Sequence, residues 1–380
     1  MRTIYLDYNA TTPLAPAVQE AMLPFLAEHY GNPSSHHALG RAAQEAVEDA
    51  RVRVARLVGA ERHEIVFTSG GTESNNLALK GAAFRNSSRG AGHFVLTALE
   101  HASVRQSAIF LESLGFPLTV VRCNADGIVD RDAIQAALRR NTILVSVIHA
   151  NHEIGAIQPI AEIARMCRAR GVLVHTDASQ SAGKILVNVD HLGVDLLTIS
   201  GHKMYAPKGV GALYIRRGVD LAPLIHGESQ EAGLRAGVEN VSQIVGLGTA
   251  ATLAAETHLA LADKIESLRD RLESRLLDDI PGSSVNAQHD RRLPNTLSIN
   301  FPGVSANDVL RRAPDICAAT GEACHCGSSS LSDTLAAIGL TSRLAHGTIR
   351  LSLGVYTSEE DVDRAAEALI TAWEIARADV

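Results

Sequence analysis

Between Pro16 and Leu247 the chain alternates seven short apolar runs with amphipathic stretches, and that alternation restricts the fold more than any other feature. The runs are 64–68, 93–99, 118–123, 142–150, 172–176, 194–200 and 211–215. Val47, Ala50, Val54 and Leu57 fall at i, i+3, i+7 and i+10, one face of a helix, and Ala161, Ala164, Met166 and Cys167 mark another. Strand–helix alternation implies a mainly parallel sheet covered by helices on both faces. At 380 residues the chain exceeds the size at which one core stops growing. The expected fold is therefore α/β, with a large domain over 13–247 built on a mainly parallel seven-stranded sheet. Past Leu247 the texture changes. Residues 250–277 read as one long helix rich in Ala, Leu and paired charges, followed by strands near 295–301 and 349–354. A final helix opens at Thr357-Ser358-Glu359-Glu360, a capping-box pattern, with Val362, Ala366, Leu369 and Trp373 as its buried stripe. Residues 248–380, completed by 1–12, read as a smaller α+β domain.

In sheets of this kind ligands gather beyond the carboxyl ends of the strands. His101, Asp177, His202 and Lys203 all follow strand ends. The 172–176 run delivers a carboxylate, Asp177, and the 194–200 run delivers an amine, Lys203, to one sheet edge. Pyridoxal phosphate (PLP) chemistry needs that pair. The amine forms a Schiff base with the cofactor aldehyde. The carboxylate keeps the pyridine nitrogen protonated, so the ring accepts electrons from a substrate carbanion. The plainer alternative is a helix-capping Asp177 and a solvated Lys203. Only five lysines occur, Lys80, Lys184, Lys203, Lys208 and Lys264, which narrows the search for a Schiff-base amine.

Apolar residues make up 46% and charged residues 20%, a globular composition. The net charge of −7 argues against a general nucleic-acid or membrane surface. Five scattered cysteines, Cys123, Cys167, Cys317, Cys324 and Cys326, suggest a reducing compartment rather than a disulfide framework. Residues 1–7 carry no long apolar signal segment, and no run approaches the roughly 18 apolar residues of a membrane span. The cytoplasm is the expected location.

Four further segments can carry chemistry. Ser69-Gly70-Gly71-Thr72-Glu73-Ser74-Asn75-Asn76 follows a strand; its glycines permit close backbone approach, and amides plus the Thr72 hydroxyl at a helix start form an anion site. An ordinary strand-to-helix turn reads the same way. Glu100-His101 offers an imidazole able to stack on a cofactor and shuttle protons, although a lone histidine among 16 is more often a structural or surface residue. Gly321-Glu322-Ala323-Cys324-His325-Cys326-Gly327-Ser328-Ser329-Ser330 reads as a flexible polar loop whose cysteine can ionise and act as a nucleophile. An unreactive surface cysteine or a metal site are the alternatives there. Adjacent ligands wrap a tetrahedral ion poorly, and no second Cys/His pair has zinc spacing, so no metal is expected. Arg350, flanked by apolar residues in Thr348-Ile349-Arg350-Leu351, needs an anionic partner if buried. Its planar fork suits a substrate carboxylate, and an internal Asp or Glu would serve as well.

Together these segments resemble the NifS/IscS-type cysteine desulfurases among the fold-type I PLP-dependent transferases, nearly end to end. The likeness includes Leu6-Asp7-Tyr8-Asn9-Ala10-Thr11-Thr12, Gly31-Asn32-Pro33-Ser34-Ser35 and Phe67 to Ser74. It continues through Asn151-His152-Glu153-Ile154-Gly155, Ser200 to Gly209 and Leu344 to Arg350. The resemblance implies roles. Lys203 would hold PLP, Asp177 would pair with the pyridine nitrogen, and Gln180 would bond the ring hydroxyl. His101 would stack on the ring and assist proton transfer. Gly71, Thr72, Ser200 and His202 would surround the phosphate, and Asn151 with Arg350 would grip the substrate carboxylate. Cys324 would take sulfur from L-cysteine as a persulfide, release L-alanine and pass the sulfur to an acceptor protein. A homodimer is implied as well. Iron–sulfur scaffolds, tRNA thiolation and DNA phosphorothioation all draw on such enzymes, with any nucleic acid reached through a partner.

Several positions depart from the family pattern. His152 replaces a second Asn, Glu228-Ser229-Gln230-Glu231-Ala232 replaces a glycine-rich run, and Val238 replaces a Thr that reaches the neighbouring subunit's phosphate. Cys324-His325 is similar to selenocysteine lyases too, and Cys326 offers a second thiol. A selenocysteine lyase, a non-catalytic scaffold and a metal-binding module on Cys324-His325-Cys326 are the rival readings.

Overall fold

The computed structural model describes residues 3–86, 90–287, 291–325 and 328–379, with their side chains apart from those of 322–330. All seven apolar runs enter one sheet. Its spatial order is Ile65–Thr68, Gly211–Ile215, Leu196–Ser200, Leu173–Asp177, Thr142–Ser146, His93–Thr97 and Leu118–Val121. The Gly211–Ile215 strand is antiparallel to both neighbours, and the remaining pairs are parallel. Because that strand is reversed between two others, Ile65–Thr68 points the same way as the five parallel strands. Their carboxyl ends therefore share one edge, which places Ser69, His101, Asp177 and Ser200 on the same side of the molecule. Several strands end earlier than the apolar runs predict. Leu99, Val147, Ile148 and Ala150 stay buried in the segments beyond the strand ends, so apolarity there reports burial rather than pairing.

The Ala38–Val58 helix buries the face the spacing predicts, including Val47, Ala50, Val54 and Leu57. It ends at Gly59, whose φ of 69° is a left-handed cap. The helix predicted over 250–277 begins earlier and is interrupted. Val241–Leu253 is α-helical, Ala254–His258 forms a π turn, Leu259–Leu261 a 3-10 turn, and Ala262–Asp279 resumes the α-helix. Gly246 and Gly248 hide the first part from a propensity reading. Gly248 is required by close packing: a Cβ there would lie 2.6 Å from the Ala50 Cα of the neighbouring helix. By length and composition the Val241–Asp279 stretch could cross a membrane. Here Leu247, Ala250, Ala251 and Ala254 belong to the apolar core between sheet and helices.

A second core gathers Leu272, Leu276, Leu297, Ile349, Leu351, Val362, Leu369 and Trp373. Its sheet has the order Ala319–Thr320, Thr348–Ser352, Thr296–Asn300, Ser284–Val285, antiparallel throughout. The Glu359–Ala378 helix covers it and starts in a capping box of Ser358 and Asp361. Ile4–Tyr5 pairs with Ile316–Cys317, and Asp7 bridges to Ser352, so the amino-terminal segment is stitched into this half. The Cys324 segment differs from the expected loop. Its backbone forms a hairpin, Glu322–His325 against Ser328–Leu331, with Cys324 opposite Ser329.

Candidate active site

A cavity of about 610 Å³ opens at the shared edge of the large sheet. Gly71, Thr72, His101, Asp177, Gln180, Ser200, His202, Lys203 and Arg350 all line it. Asn151 does not: it is fully buried, donates to the Leu99 carbonyl and Thr334 Oγ1, and accepts from the amides of Glu153 and Ile154. A larger open groove of about 760 Å³ lies by Arg51 and Glu231 and contains none of the candidate residues.

Asp177 ends its strand 4% exposed. Its Oδ1 accepts from the Ser179 amide at 2.9 Å, and its Oδ2 accepts from Asn75 Nδ2 at 2.8 Å. The first bond shapes a turn, and no helix follows for the carboxylate to cap. Asn75 also donates to Ser103 Oγ at 2.8 Å, so one amide ties the carboxylate to the helix that carries His101. These two donors fix the orientation of the carboxylate.

Lys203 closes the 3-10 turn that follows the adjacent strand. Its Nζ donates to the backbone carbonyl of Asn9. Burial pulls its pKa down to about 8, the Arg350 charge adds to the fall, and Asp177 and Asp7 oppose it. A lysine so placed supplies a neutral, nucleophilic amine near physiological pH. Two residues on, Tyr205 takes a φ of 67°, a strained conformation held by Tyr205 N donating to Thr12 Oγ1 and by Val355 N donating to the phenol oxygen.

His101 caps the Ala102–Ser113 helix. Its Nδ1 accepts from the Ser103 amide at 3.2 Å, which leaves the ring proton on Nε2. Burial lowers its pKa, so the ring is neutral, with Lys203 and Arg105 acting in the same direction against Asp177. The His152 ring stands edge-on to it, 5.6 Å between centroids. At the other end of the cavity His202 is held neutral, its pKa pushed to about 4 by burial and by the Lys203 and Lys208 charges. Gly71 opens the Gly71–Asn86 helix; a Cβ there would stand 3.1 Å from Ser179 Oγ and 3.3 Å from Ser200 Cβ. Gly211 serves the same edge, since a Cβ would strike Gly70 Cα at 2.7 Å.

Arg350 has the internal acidic partner that burial calls for, and it also faces the cavity. It lines the cavity, yet one terminal nitrogen pairs with Asp7 Oδ1 at 2.5 Å and the other donates to the His152 carbonyl at 3.1 Å. Its Nε is buried without a hydrogen-bond partner among the described residues. The side chain of Cys324, and Cys326 altogether, lie outside the described residues.

Sequence reasoning singled out neither Asn9, Asn75, Asp7 nor Lys184 individually, although the first three stand inside quoted motifs. Asn9 is the hub. Its carbonyl accepts from Lys203 and Gln180, its Oδ1 from Lys184 and Asn295, and its Nδ2 donates to Thr296 Oγ1. Nothing in local spacing signals such a role, because the partners just named lie up to 287 residues away.

The Aminotransferase class-V family model matches residues 4–365. A cysteine desulfurase IscS of Dictyoglomus turgidum is 46% identical over 370 residues, 97% of this chain and 94% of that protein. A NifS-like protein of known structure superposes with a TM-score of 0.91 at 37% identity, over 98% of this chain and 99% of the other. SspA, solved in complex with cysteine, gives a TM-score of 0.83 at 36% identity over 94% and 100%. With the lysine, the carboxylate and the full-length match in place, the chain belongs to the class-V aminotransferases and, within them, to the cysteine desulfurases of the NifS/IscS type.

Proposed function

We propose that the cavity binds PLP through Lys203 and converts L-cysteine to L-alanine, moving the sulfur to Cys324 as a persulfide. The observation that carries this reading is the convergence of Lys203 and Asp177, from the ends of two adjacent parallel strands, on one cavity. The donor set suits PLP: a depressed-pKa amine, a carboxylate fixed by Asn75, hydroxyls of Thr72 and Ser200 with His202 at a helix start, and a glycine whose Cβ would crowd that end. When bound, PLP supplies an aldehyde for the amine and a conjugated ring that holds the electrons of a broken Cα–H bond.

The remaining work falls to the chain. Asp177 holds a proton on the ring nitrogen. Lys203, whose free amine is half deprotonated at about pH 8, takes the substrate α-proton on Nζ. His101, with its proton on Nε2, donates at the substrate. The Arg350 fork orients the substrate carboxylate, its unpartnered Nε becoming a donor to that group. Asn151 supports this end indirectly by holding the 151–154 turn. The Cys324 thiolate attacks the substrate sulfur; an S–S bond forms, the C–S bond breaks, and the carbon fragment leaves as L-alanine after protonation. Placing Cys324 on a hairpin between Gly321 and Ser332 suits a group that serves both substrate and acceptor.

We further read the enzyme as a cytoplasmic homodimer that delivers sulfur to an acceptor protein, on the strength of the family likeness and the sparse, odd set of five cysteines. The chain divides into a PLP-binding unit and a smaller unit bearing the cysteine hairpin, a reading supported by the two separate cores. Replacing Cys324→Ser tests the proposal. The variant given L-cysteine and a reductant should bind PLP and release no sulfide; wild-type sulfide output would remove Cys324 from the mechanism.

A further inference from the structure

Lys184 is a second buried lysine beside the Schiff-base lysine, and the reaction above gives it no part. Its Nζ lies 2.8 Å from Asn9 Oδ1 and 2.7 Å from Gln180 Oε1. A lysine amine donates to both. The Gln180 oxygen is therefore fixed on the Lys184 side, and its Nε2 points the other way, donating to the Asn9 carbonyl at 2.8 Å. An amide nitrogen carries two hydrogens, and Asn9 takes one. Gln180 lines the cavity, so the second N–H is the donor available there. Asn9 cannot turn to replace Lys184, because its carboxamide is held by Asn295 at 3.0 Å and Thr296 at 2.8 Å. The arrangement does not depend on a charge. Burial, with the Lys203 and Arg350 charges, holds the Lys184 pKa well below the lysine range, and a neutral amine keeps two N–H groups for its two acceptors.

We propose that Lys184 is a positioning residue that sets the orientation of Gln180, so that an N–H rather than a carbonyl oxygen meets the ring oxygen of bound PLP. This rests on the PLP reading of the cavity. A donor at the ring oxygen stabilises its anionic form and lowers the basicity of the neighbouring Schiff-base nitrogen on Lys203.

The test is a pH titration of the visible absorbance of the PLP-loaded protein. Lys184→Met should raise the midpoint by roughly half a unit to one unit, the size of one hydrogen bond. Gln180→Leu should raise it equally, and the double variant no further, since both changes remove the same contact. Lys184→Leu provides a second apolar variant should Lys184→Met fail to fold. An unchanged midpoint in the Lys184 variants, or shifts that add in the double variant, would overturn the proposal while leaving the PLP reading intact. A native protein that stays colourless with PLP would overturn that reading and this inference together.

Discussion

Asp7 Oδ1 stands 2.5 Å from the Arg350 guanidinium, joining positions 343 residues apart behind a side chain that lines the cavity. The pair fixes the guanidinium plane before any substrate arrives. It leaves Nε as the donor without a partner among the described residues. Arg350→Lys keeps the charge and loses the fork. It should raise KM for L-cysteine by about tenfold or more, with a smaller effect on kcat. Steady-state alanine formation measures both, and the colour of the PLP-loaded protein should not change.

Burial pulls the pKa of the Lys203 amine down to about 8, and only the neutral amine attacks an aldehyde. Recombination of PLP with cofactor-free protein should therefore accelerate about tenfold per pH unit on the acid side of that midpoint and level off above it. Arg350 is the foremost charge lowering the midpoint, so Arg350→Met should move the curve to higher pH. Stopped-flow growth of the visible band reads the rate.

Asp177→Asn keeps the shape of the Asp177 site and removes its charge. The Ser179 amide can still donate to the side-chain oxygen, so the turn should survive. Cofactor colour should be retained, while kcat for alanine formation falls by more than about a hundredfold, as for loss of a preorganised charge at a reacting centre.

Glu100, the residue before His101 in the chain, is buried. Its Oε1 accepts from Thr97 Oγ1 at 2.6 Å and from the Ile148 amide at 2.8 Å, whereas Oε2 is buried without a partner among the described residues. Burial raises its pKa to about 8, with the Asp177 charge acting in the same direction. Between the ordinary carboxylate value and about 8 the folded chain keeps this proton and the unfolded chain releases it. Stability from this group is thus greatest in acid, declines as pH rises toward about 8 and is constant above. Glu100→Gln should flatten that part of the pH profile in thermal unfolding from pH 5 to 8.

Seven strands and the edge they share were legible from apolar runs because a sheet covered on both faces buries nearly every strand residue, as in Ile65–Thr68 and Leu196–Ser200. The helix face of Val47, Ala50, Val54 and Leu57 was legible for the same reason. Lys203 and Asp177 could be paired because Asp177 ends one strand and Lys203 stands in the turn just past the end of the next. Asn9 and Lys184 could not, since their partners converge only in three dimensions. Asn151 stands in a matched motif, but its bonds to Thr334 and to the backbone amides of Glu153 and Ile154 were not visible in the spacing. The break in the Val241–Asp279 stretch was hidden because Ala254–His258 has ordinary helical composition and departs from α geometry only in its bonding.

Borohydride reduction of the PLP-loaded protein, followed by peptide mass spectrometry, tests the central claim most directly. The account predicts the reduced cofactor on the peptide containing Lys203 and its loss in Lys203→Ala. Label on Lys184 or Lys208 instead, or no label on any lysine, would contradict it.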